Sequence, residues 1–336
     1  MMNSSESHEV KYSGQSTSFH AAEPPKLSVL LPTFQRADAL HRTLQGLEQQ
    51  TADKAGYEVI VVDDGSDDNT PEVLKQFAEQ TSLRLSYALL KENGGPARAR
   101  NIGLSMIRGK AVFITGDDIE PSDTLVERHL RFHQEHPTAQ DALLGYVSFP
   151  EGLEPNTFMR WLATDGKAYF FNYADLTPGK EAGPIFFYTC NVSVKTTLLE
   201  QSGWFDESFT YASHEDLELG YRLADQGMRL IYDPAAEGFH WHMLTVQGIT
   251  RRVYLMGYSA SLFWSKVNQQ DGLLKRGLRR LLALFCSALW GTWLWNRLRK
   301  QKYVDSSAYP VQWRLLLFLS FFIGLADAHK KRKIRV

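Results

Sequence analysis

Between Leu27 and Thr115 the chain repeats one grammar: a short run of branched apolar residues, a polar turn, then an amphipathic stretch. The runs are Leu27 to Leu31, Val59 to Val62, Leu83 to Leu90 and Lys110 to Thr115; helical spacing fills the gaps, with Leu40, Leu44 and Leu47 on one face, then Pro71 to Gln80 and Pro96 to Ile107. Asp38 and Thr70 are read as the N-caps of the first two helices. Strands alternating with helices call for an α/β fold with a mostly parallel, Rossmann-like sheet covered by helices. In such a sheet the strand ends share one edge, and ligands bind in the crevice beside it. Three polar motifs converge on that edge: Thr33 to Arg36, Asp63 to Asp68 and Gly116 to Asp118.

Each motif suggests a chemistry. The run Val112 to Thr115 stops at Gly116, Asp117 and Asp118. Neighbouring side chains on extended backbone point to opposite faces, so one of the two carboxylates can ligate a metal directly while the other orients its surroundings. Asp118 is taken as the ligand. Hard oxygen donors suit Mg2+ or Mn2+, which bind through one or two carboxylates plus substrate phosphates, and this points to a nucleoside diphosphate. An isolated Asp-Asp pair is equally an ordinary turn former. Asp64 can accept from the imide N–H of uracil or thymine, and Arg36, Arg98 and Arg100 can neutralise phosphate where Asn93, Gly94 and Gly95 let backbone approach closely before a helix. Taken singly, these residues also fit an Asx turn and a solvated helix face. There is no GxGxxG or GxxxxGK[ST], which disfavours a Rossmann dinucleotide site or a P-loop.

Further along, a helix to about His136 and a strand from Ala142 to Phe149 precede an aromatic stretch, Pro155 to Tyr188. Its rings, among them Trp161, Tyr169, Phe170, Phe171 and Tyr173, suit a sugar or lipid acceptor or simply core packing. Tyr188 to Val194 reads as a strand returning through the sheet. A second acid pair, Glu215 and Asp216, opens a helix carrying Leu217, Tyr221 and Ala224 on one face. Helix-start chemistry explains the pair by itself, but two acid pairs in one chain allow one to hold metal and the other to take a proton from a hydroxyl. His240 and His242 alternate on one face of an extended segment, in position for a metal or diphosphate.

These pieces, in this order, resemble family 2 glycosyltransferases of the GT-A fold: PTFQR (32–36), VVDDGSDD (61–68), NGGPARARNIGL (93–104), FITGDDIEP (113–121), NVSVKTTLLEQSGWFDESF (191–209) and HEDLELGYRL (214–223). The resemblance implies an inverting transferase that uses a UDP- or dTDP-sugar with a divalent cation and passes the sugar to a glycan or lipid-linked acceptor, in the setting of bacterial surface polysaccharide synthesis. By it, Pro32, Thr33, Phe34, Arg36, Asp63, Asp64, Gly94, Arg100 and Asp117 would hold the nucleotide-sugar. Asp118, with His240 and His242, would hold the metal, and Asp216, with Glu215, would supply the base. Gly116 stands where the family's first Asp is usual. A nucleotidyltransferase or a catalytically degenerate membrane scaffold are the competing readings.

Charge divides the chain. From Arg251 onward 17 Lys and Arg face 3 acids, +14 within a total of −1, which leaves −15 for everything before. The basic half is read as facing an anionic membrane surface, and no nucleic acid is expected as a partner. Leu281 to Trp295 and Leu315 to Ala326 are apolar runs with basic flanks, shorter than the roughly 20 residues a bilayer span needs. With Trp290, Trp293, Trp295 and Trp313 they suit helices lying in the interface of an anionic leaflet, or else a soluble helical cap. Two distant cysteines and an N-terminus without a secretory pattern fit the cytoplasmic face of the inner membrane, peripheral or monotopic. The expected division is a disordered tail (1–25), a catalytic domain (26–245) and a basic helical extension (246–336).

Overall fold

The computed structural model describes residues 10–20, 23–164, 172–241, 243–267, 273–300, 310–332 and 334. The chain divides into two compact units. The first comprises residues up to Leu153, Asp175–Thr210 and Glu215–His242; the second takes Glu154–Ala174, Tyr211–His214 and Met243 onward.

The first unit is built on a mixed sheet. Strands β2 (Leu27–Thr33), β3 (Tyr57–Asp63), β4 (Leu85–Leu90) and β5 (Ala111–Thr115) run parallel in the order β4-β3-β2-β5. Crossover helices α1 (Ala37–Glu48), α2 (Thr70–Gln80) and α3 (Pro96–Leu104) connect them in sequence. All seven residues of β3 are buried, as expected of a strand covered on both faces. The chain winds outward from β2 through β3 to β4, then returns to the other side of β2 as β5. The direction therefore reverses between β2 and β5, where open α/β sheets bind ligands.

Beyond β5 the pattern changes. The segment read as a returning strand is β9 (Asn191–Lys195), and it pairs antiparallel with both β5 and β7 (Asp141–Ser148). Next comes β10 (Arg229–His240), parallel to β7, and then β6 (Ile119–Pro121), antiparallel to β10. A two-residue strand, β8 (Glu181–Ala182), also pairs with β10. The β6–β10 pairing sets His240 opposite Ile119, one residue past Asp118.

Helix α4 (Leu125–Glu135) lies against this part of the sheet and is tied to it by polar groups. His129 is fully buried and stacks on Phe113 with ring centroids 4.0 Å apart. Asn191 donates through Nδ2 to the carbonyls of Tyr146 and Ala236, so its Oδ1 must accept, at 3.0 Å, from His129 Nε2. That fixes the tautomer and leaves Nδ1 as the acceptor of the Ser193 hydroxyl at 2.7 Å. The same oxygen in turn accepts from His133 Nε2 at 2.8 Å. Burial pushes the His129 pKa down to about 4 and also lowers that of His133, where Lys195 adds like-charge repulsion.

The supposed tail departs from expectation. Residues Val10–Gln15 form β1, antiparallel to β4 at the sheet edge. A polar segment can do this because edge pairing draws on main-chain hydrogen bonds and needs no apolar face of its own. Phe19, just beyond, is buried under the Arg108 guanidinium, 3.9 Å from its ring.

The second unit is helical: α5 (Thr157–Ala163), α8 (Val246–Lys266), α9 (Leu273–Ser287), α10 (Leu289–Arg299) and α11 (Pro310–His329). Helices α8 and α11 approach backbone to backbone at two glycines. A Cβ on Gly257 would meet the Phe321 carbonyl at 1.9 Å, and one on Gly324 the Tyr254 carbonyl at 2.1 Å. Two buried polar contacts lie inside: Tyr254 donates to Asp327 at 2.9 Å and Trp295 Nε1 to Ser320 at 2.9 Å. Trp295 and Trp313, expected among interfacial anchors, are buried, the second against Phe158 and Trp161 of α5. An interfacial belt and a helical core draw on the same tryptophan-rich composition; packing decided for the core here. The first apolar run is two helices broken at Ala288, and the second lies in a 20-residue helix, longer than its apolar run. By length and composition α11 could cross a bilayer, yet 56% of its most apolar stretch is buried in the protein.

Candidate active site

Thr33 is the hub of the crevice. Its carbonyl accepts from the Asp64 backbone N–H at 2.9 Å, joining the ends of β2 and β3. Its hydroxyl donates to Asp117 Oδ2 at 2.8 Å, joining β2 to the turn after β5. Thr43 of α1 donates to the Asp117 carbonyl at 2.9 Å and steadies the same turn. Asp117 is buried, and its pKa is raised to about 6, first by burial and then by Asp118, against the pull of Arg36 and Thr33. Asp118 is the more exposed of the pair and turns its Oδ2 toward His240 Nε2, 3.7 Å away. Arg36 Nη1 lies 3.1 Å from Asp117 Oδ1 and also contacts Asp118 Oδ2. The two acids thus differ in burial although both reach Arg36; they stand in the turn between β5 and β6, not on the extended strand that the sequence reading assumed.

The Asp63 to Asp68 motif serves the scaffold heavily. Asp63 Oδ1 accepts from the Ser66 N–H at 3.2 Å and from its hydroxyl. Asp68 accepts from the Thr70 N–H at 3.0 Å, ahead of α2, and from the Ala37 N–H at 3.4 Å, at the start of α1. The N-cap positions are Arg36 and Asn69, not Asp38 and Thr70 as read from sequence, and neither caps with its own side chain; Asp68 reaches a backbone N–H at the start of both helices instead. Gln35, at φ 53°, donates its N–H to Ser66 Oγ at 2.7 Å. Asp64 accepts at 2.9 and 2.8 Å from the N–H groups of Gly94 and Gly95, which fixes the loop before α3. Burial raises the pKa of both Asp63 and Asp64. Gly95 has φ 93°, and a Cβ there would stand 2.4 Å from the Thr210 carbonyl, so only glycine serves. Pro32 is half-buried at the end of β2, and Phe34 is exposed beyond it.

Arg100 and Glu215 are placed differently from the sequence expectation. Both are buried and bind each other at 3.0 Å, with the Arg100 guanidinium 5.2 Å from the Phe205 ring. Arg100 and Glu215 thus form a buried ion pair through Arg100 Nη1. A buried carboxylate at the start of α7 (Glu215–Asp225) requires such a counter-charge. Asp216 is half-buried, and its Oδ1 accepts from the Leu217 N–H at 2.8 Å. His242 lies outside the described residues, as do Tyr169, Phe170 and Phe171 of the aromatic stretch.

Sequence reasoning missed Trp241 and Arg42. The Trp241 backbone N–H donates to the Asp118 carbonyl at 3.1 Å, and the Arg42 guanidinium stacks 4.4 Å from the centre of its ring. The only signal was a tryptophan between the two histidines.

Two donor atoms, each about 2.1 Å from a common small cation, stand roughly 3 to 4 Å apart. Asp118 Oδ2 and His240 Nε2 at 3.7 Å meet that requirement. Among the described residues no group of three or more His, Cys, Asp or Glu forms a metal cluster. The fit is to an ion that completes its shell with water and ligand oxygens.

A mixed α/β sheet with an acid pair at its switch point and an antiparallel strand beyond it has the GT-A architecture. Residues 28–191 match the family described as glycosyl transferase family 2. Over that stretch the chain resembles the family. It is 31% identical over 224 residues to the validoxylamine A glucosyltransferase of Streptomyces hygroscopicus subsp. jinggangensis (strain 5008), covering 61% of this chain and 52% of that protein. It is 29% identical over 239 residues to the chondroitin synthase of Escherichia coli, covering 64% and 34%. The chain thus spans about half the length of the first of these relatives and a third of the second. Among solved structures, a Pyrobaculum calidifontis mannosyltransferase in complex with GDP-Man and Mn2+ superposes with TM-score 0.60 at 18% identity, over 93% of this chain and 89% of that one. Staphylococcus aureus TarS 1-349 in complex with UDP gives 0.53 at 17%, over 92% and 93%. These likenesses are of fold.

Proposed function

We propose that the protein transfers a sugar from a UDP- or dTDP-sugar to a hydroxyl of a glycan or lipid-linked acceptor, with inversion, in bacterial surface polysaccharide synthesis. The observation that carries the reading is the Asp118–His240 pair, 3.7 Å apart at the β2–β5 switch point. These two residues would hold Mn2+ or Mg2+, which supplies positive charge for the departing diphosphate. Arg36, half-exposed beside them, adds a cation for the phosphate oxygens. The second lone pairs of the Asp64 carboxylate remain for an imide N–H, since each oxygen already takes one backbone donor. Asp216 takes the acceptor proton, and the Arg100–Glu215 ion pair anchors the helix turn that carries it. A single displacement by the acceptor oxygen, opposite the leaving group, inverts the anomeric centre. Solved fold neighbours hold GDP-Man with Mn2+ and UDP, which supports a nucleotide-sugar donor.

The test is a panel of nucleotide-sugars incubated with the purified protein and Mn2+, scored for release of nucleoside diphosphate and for binding by calorimetry. Release with at least one donor, abolished by chelation, is expected. Binding of none, with or without metal, refutes the reading.

We propose further that the second unit attaches to the anionic cytoplasmic face of the inner membrane. Leu281, Leu284 and Phe285 stand on one face of α9, 65, 56 and 58% exposed, while Ala283 and Cys286 face inward. Trp293 of α10 is 60% exposed with the Arg297 guanidinium 5.5 Å from its ring. Apolar burial and lipid-facing cations together give the two signals that stable peripheral binding requires.

A further inference from the structure

Arg36 holds the ground that a cation would need. Its Nη1 lies 3.1 Å from Asp117 Oδ1 and also contacts Asp118 Oδ2, the same oxygen that faces His240. A divalent ion at about 2.1 Å and a guanidinium in direct contact would repel each other across one shared carboxylate oxygen, so binding of the ion drives the guanidinium off it. The side chain is built to let go. Its backbone is pinned, the N–H to Thr70 Oγ1 at 3.3 Å and the carbonyl to the Leu40 N–H at 2.9 Å, whereas the head is 42% exposed and uses Nη1 alone. The remaining guanidinium donors are engaged by no described residue and match the spacing of phosphate oxygens.

We propose that Arg36 is a resident counter-ion that closes the Asp117–Asp118 pair in the metal-free protein and must release Asp118 before a divalent cation can bind there. It keeps Asp117, which is buried and needs a partner, and turns its free donors onto the diphosphate that arrives with the metal. Arg36 therefore opposes the cation alone and favours the cation with an anionic ligand. The inference rests on Asp118 as the cation's ligand.

The experiment measures Mn2+ binding by electron paramagnetic resonance at pH 8 in nucleotide-free, full-length protein. Arg36→Gln should bind Mn2+ about tenfold more tightly than wild type, the size of one charge-assisted hydrogen bond no longer to be broken. Binding of the manganese pyrophosphate complex should weaken about tenfold in the same variant. Arg42→Gln, which removes a neighbouring charge that contacts Trp241 and not the carboxylates, should leave Mn2+ affinity near wild type. The proposal is overturned if Arg36→Gln binds Mn2+ no more tightly than wild type, or if Arg42→Gln tightens it equally. Asp118→Asn separates this from the wider reading: unchanged Mn2+ affinity there would remove the metal assignment itself, and the counter-ion with it.

Discussion

Acid should loosen the first unit through His129, and the size of the effect follows from its surroundings. In the unfolded chain this imidazole titrates near 6.5; in the fold its pKa is pushed down to about 4, first by burial and only partly offset by the hydrogen bond to Asn191. A folded pKa below the unfolded one means that the unfolded state binds the proton first. The stability contributed is complete above pH 6.5 and is lost as pH falls toward 4, below which both states are protonated. At about 1.4 kcal/mol per pH unit the interval amounts to roughly 3 kcal/mol, or about a hundredfold in the opening equilibrium. The chemistry agrees with the direction, since a proton on Nδ1 would leave Ser193 facing two donors, His129 and His133. Hydrogen exchange of the β9 amides, corrected for intrinsic rates, reads the opening of this unit apart from the helical one. Wild type should lose about a hundredfold more protection between pH 6.5 and 4 than His129→Gln, although the variant starts lower because it forfeits the stack on Phe113. Parallel loss of protection in the two proteins would refute the argument.

Asp118→Asn should lower turnover more than Asp117→Asn at limiting Mn2+, a difference read from metal-titrated kinetics and contradicted by equal losses. Metal-free Asp117→Asn should melt a few degrees above wild type at pH 8, because the buried carboxylate with its raised pKa costs stability when ionised. The gain should shrink as pH falls toward 4, and scanning calorimetry across pH reads it. Asp216→Asn should reduce transfer by a factor of about 100 to 10,000 while donor affinity in calorimetry stays near wild type. Full-length protein should float with anionic liposomes, and replacing Leu284, Phe285 and Trp293 by Ser should abolish flotation without altering the circular dichroism spectrum.

The parts legible in the sequence are those whose causes are local. Each of β2, β3 and β5 announces itself as an apolar run ended by a polar turn, and parallel pairing then obliges Thr33, Asp63 and Thr115 to share an edge. The strand alternation expected to separate Asp117 from Asp118 does not apply, since both stand in a turn and reach Arg36. What escaped depends on partners far away in the chain. Arg100 reads as a phosphate cation until Glu215, 115 residues on, is seen to take it. Asn191 falls in a strand that the sequence does show, but its donation to the carbonyls of β7 and β10 is not written in that pattern. The histidines of α4 carried no signal, because a buried imidazole and a surface one have the same helical spacing. The edge strand β1 was invisible for the opposite reason: its stabilising contacts are main-chain bonds to β4, to which side-chain pattern is nearly silent.

The Thr33 to Arg36 segment shows how one short motif comes to serve both scaffold and site. Thr33 donates its hydroxyl to Asp117, and the carboxylate's own burial, which that hydrogen bond only partly offsets, raises its pKa and makes a counter-charge necessary. Arg36, three residues on, supplies it from the start of α1, and is held there by Thr70 and the Asp68 loop that begin α2. A charge that offsets the acid pair in the metal-free protein is also a charge that a diphosphate can recruit. The geometry that stabilises the crevice and the geometry that would read a phosphate are therefore the same contacts in two states. A substitution at Arg36 should accordingly alter metal binding and anion binding in opposite directions, which a residue serving only to hold the fold would not do.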